Sequence, residues 1–203
     1  MLVSLIRQTS PGRFTVELDD GSEVKTTLGV VTDMRLFAGK ELDAEGFEEL
    51  KRLSRRSIAR EKALEYLSKR PMSCAELRKK LIEKGEDEDT AEFCVRWLSE
   101  NGFLNDESYA AAVARHYTSK GYGEGRIRSE LSRRGISREI WDETIGSVPE
   151  ESSKLSAILG KKLKDPNDRD EVRKLSASLY RRGFSWDEIR RALSEYNAST
   201  EDE

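Results

Sequence analysis

Residues 127–135 read IRSELSRRG, and the same outline returns at 77–85 (LRKKLIEKG) and at 175–183 (LSASLYRRG). In each stretch two apolar positions four apart, Leu77/Leu81, Ile127/Leu131 and Leu175/Leu179, fall on one helix face. A basic residue and then a glycine end the pattern: Lys84-Gly85, Arg134-Gly135 and Arg182-Gly183. Only glycine takes the left-handed conformation of a helix C-terminus without steric cost, so all three glycines are expected at positive φ. Beyond each, a second helical pattern carries an apolar or small residue six and ten positions on: Ala91/Val95, Trp141/Ile145 and Ile189/Leu193. Self-similarity at 48–50 residues, set by the positions of these glycines, marks a repeat array in which each helical unit buries its stripe only against neighbours. Such arrays present extended surfaces rather than catalytic pockets, and the chain reads first as a binder.

Working outward, the first 30 residues differ from the rest. Residues 2–6 and 13–18 are short and β-favouring, separated by Ser10-Pro11-Gly12, and Asp19-Asp20-Gly21 supplies a hairpin turn before residues 22–27. A three-stranded antiparallel meander is expected, docked on the first helices because it is too small to stand alone. Residues 29–42 are irregular, with one short helix. From Asp43 the chain is helical: 45–68 as two helices or one bent one, stopped by Pro71; a capping box at 73–76; helices ended by Gly85 and by Asn101-Gly102. Next come helices at 106–120 and 126–134, and a Ser137-capped helix to about 147 closed by Pro149. The third unit runs 151–163, breaks at Asp165-Pro166-Asn167, resumes at 168–182, and ends in a Ser185–Glu188 capping box and a helix to about Asn197. The expected fold is mainly α: three tandem three-helix repeats in an elongated, curved array with a small N-terminal antiparallel β-meander. Its boundaries are 1–42 for the meander and irregular segment, 43–105 for a linker helix and repeat 1, 106–150 for repeat 2, 151–197 for repeat 3, and 198–203 for a disordered tail.

The 203 residues are 37% charged and 7% aromatic, which implies a solvated surface over an aliphatic core. There is no 18-residue apolar run, and the start lacks a signal-peptide pattern, so a cytoplasmic chain with no membrane partner is expected. Cys74 and Cys94, inside helical segments and without a CxxC spacing, read as buried thiols of a reducing compartment. Catalysis has little behind it. His116 is the only histidine, and no HExxH, Walker or GxGxxG pattern occurs. Two cysteines and one histidine do not make an ordinary zinc site, and no cofactor is expected. Residues 121–125 (GYGEG) precede a helix and have the layout to hold an anion at its N-terminus, but without a preceding strand an interhelical turn is the simpler reading.

The net charge of −3 hides segregation: residues 1–50 carry five bases and ten acids, residues 51–70 eight bases and two acids. In the helix around Leu131, Arg126 and Arg133 share a flank about 120° from the apolar stripe. The matching residues are Lys174 and Arg181 in the third unit, but Glu76 and Glu83 in the first. Lys84, Arg134 and Arg182 are placed to relieve the helix C-terminal dipole and are assigned to structure. Arg126, Arg133, Lys174 and Arg181 are the better partner-facing candidates, and their charge reversal should spare the core. A second basic cluster, with Arg52, Arg55 and Arg56, has the character to meet phosphates or an acidic protein surface. Trp97, Trp141 and Trp186 are assigned to packing between units, and Phe103, Leu104 and Tyr109 to a core seam between units one and two.

Several segments together resemble the RecX family of bacterial recombinase regulators: residues 63–67 (ALEYL), 73–77 (SCAEL) with Lys84-Gly85, 98–110 (LSENGFLNDESYA) and 126–136 (RIRSELSRRGI). The central GFLNDExYA, followed by a glycine-rich turn and RIxxELxxRGI, is the most recognisable part, and the match covers about residues 55–197. The resemblance implies a monomeric, non-catalytic modulator of RecA. It would bind the RecA–single-stranded DNA filament by groove binding or end capping and lower recombinase, ATPase and coprotease activities, with roles in homologous recombination, DNA repair and the SOS response. Contacts spread over several protomers would add avidity. The alternative is a direct DNA-binding module of helix-turn-helix type, with weak direct DNA contact left open.

Overall fold

The computed structural model describes residues 1–147, 152–165 and 167–201. Strands β1 (Val3–Ser10), β2 (Arg13–Leu18) and β3 (Glu23–Thr27) form an antiparallel sheet in the order β1-β2-β3. Gly12 and Gly21, at φ 76° and 83°, make its two turns. β1 runs to Ser10, beyond the apolar stretch ending at Ile6. The added residues are polar and are held by pairing, Gln8 with Phe14 and Ser10 with Arg13, which hydropathy does not register. Val3, Val16, Leu18 and Val24 bury one sheet face against Val30 of α1 (Leu28–Asp33) and Leu50 of α2 (Ala44–Lys69).

α2 is one 26-residue helix, not two. No glycine or proline interrupts residues 47–69, and the Asp43 side chain caps its start by accepting from the Gly46 N–H at 2.7 Å. Buried hydroxyls tie it to the sheet. Ser54 donates to Thr26 Oγ1 at 2.8 Å, and Ser57 and Thr27 share a hydrogen bond at 2.7 Å, so neither pair is left unsatisfied.

Two helical segments flank each repeat glycine, with a third helix before them. α3 (Cys74–Glu83) and α4 (Glu88–Glu100) flank Gly85; α6 (Glu124–Arg133), preceded by α5 (Asp106–Ser119), leads through Gly135 to a 3₁₀ turn at Arg138–Ile140 and α7 (Trp141–Gly146). α8 (Ser152–Lys162), α9 (Arg169–Arg181) and α10 (Trp186–Glu201) repeat the plan around Gly183. The three glycines have φ of 93°, 67° and 93°. At each, the following N–H reaches back to the carbonyl of the second stripe leucine, Leu81, Leu131 or Leu179, at 3.1, 3.1 and 3.3 Å. This is the Schellman closure that a left-handed glycine permits. Ser185 and Glu188 form the expected reciprocal box, at 2.6 and 3.2 Å.

The chain divides into two compact units, residues 1–72 with 76–104, and residues 73–75 with the chain from 105 onward. Within the second, Ile127, Leu131, Ile136 and Trp141 close one core with α5, and Leu159, Leu175, Leu179, Phe184 and Ile189 close another. Some expectations change. α6 begins at Glu124 because Gly123 and Gly125 belong to a backbone contact described below. α10 continues to Glu201, past Asn197; of the expected disordered tail, 202–203 lie outside the described residues, as do Pro149 and Pro166. Phe103 is exposed and stacked on Trp97, with ring centroids 6.0 Å apart, rather than in a core seam, while Leu104 is buried. Cys94 is buried but Cys74 only half-buried, and both are free thiols. Among the described residues no helix is long and apolar enough to cross a membrane.

Candidate partner-binding surface

Residues 121–123 are an interhelical turn into α6, and the N–H groups of Gly121, Tyr122, Gly123 and Gly125 are spent on protein carbonyls. Gly123 N–H donates to the Arg182 carbonyl at 3.0 Å and Gly125 N–H to the Gly183 carbonyl at 2.9 Å. No side chain fits there: a Cβ on Gly123 would lie 2.6 Å from Gly183 and Phe184 backbone atoms, and one on Gly183 would lie 2.3 Å from the Arg126 nitrogen. The anion reading of this turn therefore loses four of its five backbone donors. Repeats 2 and 3 meet backbone to backbone, and Arg126 of α6 and Arg181 of α9 line one groove beside that contact. A related junction joins residues 73–75 to the end of α6, where the Ser73 hydroxyl donates to the Arg134 carbonyl and a Cβ on Gly135 would lie 2.5 Å from Ala75 Cβ.

Beside the glycine contact is an open groove of about 780 Å³. One wall is Glu124, Arg126, Arg128 and Ser129 of α6; the other is Tyr180, Arg181, Ser185 and Glu188. Trp186 stacks on Tyr180, centroids 5.1 Å apart, and both rings are about half exposed. Trp186 was expected to pack between units; its place at the first position of α10, just after the Ser185 cap, points it outward instead. Trp141 is a core residue, its Nε1 donating to the Ile136 carbonyl at 3.1 Å.

The four flank residues have different surroundings. Lys174 and Arg181 are exposed and have no acidic partner among the described residues. Arg126 and Arg133 instead converge on Glu130, a carboxylate whose side chain is 6% exposed. Arg126 reaches it at 3.1 Å and Arg133 at 2.7 Å, and Arg134 lies 4.0 Å away. Burial alone would raise the Glu130 pKa, but the Arg133 hydrogen bond and charge, the Tyr117 hydroxyl and the Arg126 charge outweigh it and hold the carboxyl below its ordinary value. The expectation that reversing all four charges spares the core is therefore corrected for Arg126 and Arg133, because either change sets a carboxylate against a buried one. The cue was readable in the spacing, Arg126 and Arg133 lying four before and three after Glu130 on one helix. Its burial was not.

The α2 cluster is tied inward. Arg52 pairs with Glu49. Arg55 pairs with Glu86 and Asp87 and donates to the Gly85 carbonyl at 3.1 Å. Arg56, its side chain 15% exposed, bonds Asp89 at 2.7 Å and lies over the Phe93 ring at 4.3 Å. Asp87, which also caps α4 through the Thr90 N–H at 2.7 Å, has its pKa lowered by the hydrogen bonds from Thr90 and then by Arg55 and Arg56. His116 is exposed beside Tyr117. No group of His, Cys, Asp and Glu among the described residues could hold a metal ion.

The fold and this surface define a tandem three-helix-repeat protein with an N-terminal sheet and a charged, aromatic groove at a repeat junction. Family models of the first, second and third three-helix domains of RecX match residues 59–98, 105–145 and 150–193. The regulatory protein RecX of Vibrio parahaemolyticus is 32% identical over 139 residues, 67% of this chain and 90% of that one. That of Caldanaerobacter subterraneus subsp. tengcongensis is 24% identical over 194 residues, covering 96% and 98%. A crystal structure of a regulatory protein RecX superposes with a TM-score of 0.76 at 25% identity over 96% of this chain and 98% of that one. RecX from Lactobacillus salivarius gives 0.63 at 25%, over 71% and 97%. The chain belongs to the RecX family.

Proposed function

We propose that this chain is a non-catalytic regulator of RecA that acts in the cytoplasm as a monomer. It binds the RecA–single-stranded DNA filament, along its groove or at its growing end, and lowers recombinase, ATPase and coprotease activities. Membership of the RecX family through all three three-helix domains carries this reading. Lys174 and Arg181, exposed without acidic partners among the described residues, are its primary contact residues. Arg126 and Arg133 contribute less, being paired with Glu130. Arg52, Arg55 and Arg56 contribute less, being engaged with acids of their own unit. A second reading, direct DNA binding, draws on the trihelical build of each repeat.

Co-sedimentation with RecA filaments, with free RecA and with bare single strands tests both. Tight binding to filaments, with weak and steeply salt-dependent binding to bare DNA, is expected. Equal affinity for bare DNA would favour the second reading. The Lys174→Glu/Arg181→Glu variant should stay folded and lose inhibition of RecA-dependent ATP hydrolysis, because like charges facing an acidic partner cost several kcal/mol. Full inhibition by that folded variant would place the contact on another face.

A further inference from the structure

The groove between α6 and the α9–α10 turn combines features that the fold itself does not require. Tyr180 of its lining is 53% exposed and is stacked on Trp186, 49% exposed and outside the lining itself, a large apolar area left in water. Arg181, between them in sequence, also lines the groove and has no acidic partner among the described residues. The other cations of the wall are already compensated, Arg126 by Glu130 and Arg128 by Glu124 and Asp142, at 2.6 and 2.7 Å. Glu124 and Glu188 stand in the same lining. A nucleic-acid strand brings a phosphate at every step and would meet those acids as well as Arg181. A protein segment can bring one carboxylate to one cation and keep the rest neutral. Half-exposed Tyr and Trp beside an Arg are the residue types that anchor protein partners, and about 780 Å³ suits a few side chains.

We propose that this groove holds a short protein segment that presents a carboxylate to Arg181 and lays an aromatic or aliphatic side chain on the Tyr180–Trp186 pair. The proposal rests on the RecA-regulating reading only for the partner's identity; the chemistry of the segment follows from the groove.

The probe is an acetylated, amidated Asp-Phe-Glu-Leu peptide, titrated into the full chain and followed by NMR at the Trp186 indole and Arg181 guanidinium. Its Asn-Phe-Gln-Leu analogue and a short oligothymidylate serve as the other arms. The acidic peptide should shift resonances of residues 124–129 and 180–188 and bind about tenfold more tightly than the neutral one. Arg181→Ala should erase that preference, and Tyr180→Ala should weaken both peptides. Equal binding of the two peptides, tighter binding of oligothymidylate at the same residues, or no groove shifts at millimolar peptide would each overturn the proposal. Filament co-sedimentation of the unaltered chain runs alongside. If the peptide result holds while filaments are not bound, the groove assignment stands and the RecA reading falls.

Discussion

Gly85 and Gly183 occupy the same position in two repeats and have the same φ of 93°, but their surroundings differ completely. Alanine at either pays the left-handed backbone cost, about 1–2 kcal/mol. At Gly85 an added Cβ meets nothing within 4 Å, so that cost should be the whole effect. At Gly183 it would lie 2.3 Å from the Arg126 nitrogen and 2.8 Å from Arg126 Cβ, well inside contact distance, and backbone cannot step aside as a side-chain tip can. Relief requires α6 to withdraw, which strains the Gly125 N–H to Gly183 carbonyl bond of 2.9 Å. Overpacking of this kind costs about 1–3 kcal/mol, and a strained backbone hydrogen bond adds about 1 kcal/mol. Gly183→Ala should therefore lose about 3–6 kcal/mol and Gly85→Ala about 1–2 kcal/mol. Urea denaturation by circular dichroism, with hydrogen exchange of the α3 and α9 amides to resolve the two units, measures both. Equal losses would refute the backbone contact between repeats 2 and 3. A groove-dependent activity should fall with Gly183→Ala and persist with Gly85→Ala.

Lys174→Glu should change stability by no more than about 0.5 kcal/mol, whereas Arg133→Glu, the same change of charge, should cost about 1.5–3 kcal/mol by removing a charge-assisted bond to buried Glu130; matching melting curves would contradict the assignment. Folding lowers the Glu130 pKa, so its contribution is complete above the unfolded glutamate value of about 4.3 and is lost as pH falls through the lower folded value. Glu130→Gln should accordingly flatten the acid limb of the stability–pH curve, and an unchanged limb would count against the network. Burial raises the Cys94 thiol to about 11, so at pH 8 iodoacetamide should label half-buried Cys74 first and Cys94 only on unfolding. Replacing both by alanine should leave RecA inhibition intact in the folded chain.

The repeat plan was legible in the chain because its signals are local. Stripe leucines four apart and a glycine at each helix end need only the helical period and the sterics of positive φ, and the turns at Gly12 and Gly21 obey the same logic. The Ser185–Glu188 box is read equally well, since both partners lie within one turn. Basic residues are another matter. Arg55 and Arg181 look alike in sequence, yet the first is drawn to Glu86 and Asp87, about thirty residues on, and the second faces open groove. Tyr180 and Trp186 could not be told from core aromatics until the α9–α10 turn placed them outside the cluster that buries Phe184. The pattern of the chain determined its repeat helices, their glycine ends and their apolar faces, because those depend on neighbours within a few residues. Which charges are spent and which are free, and why Gly123 and Gly183 admit no side chain, was decided only by the packing of elements some sixty residues apart, since pairing and close approach are properties of distance in space.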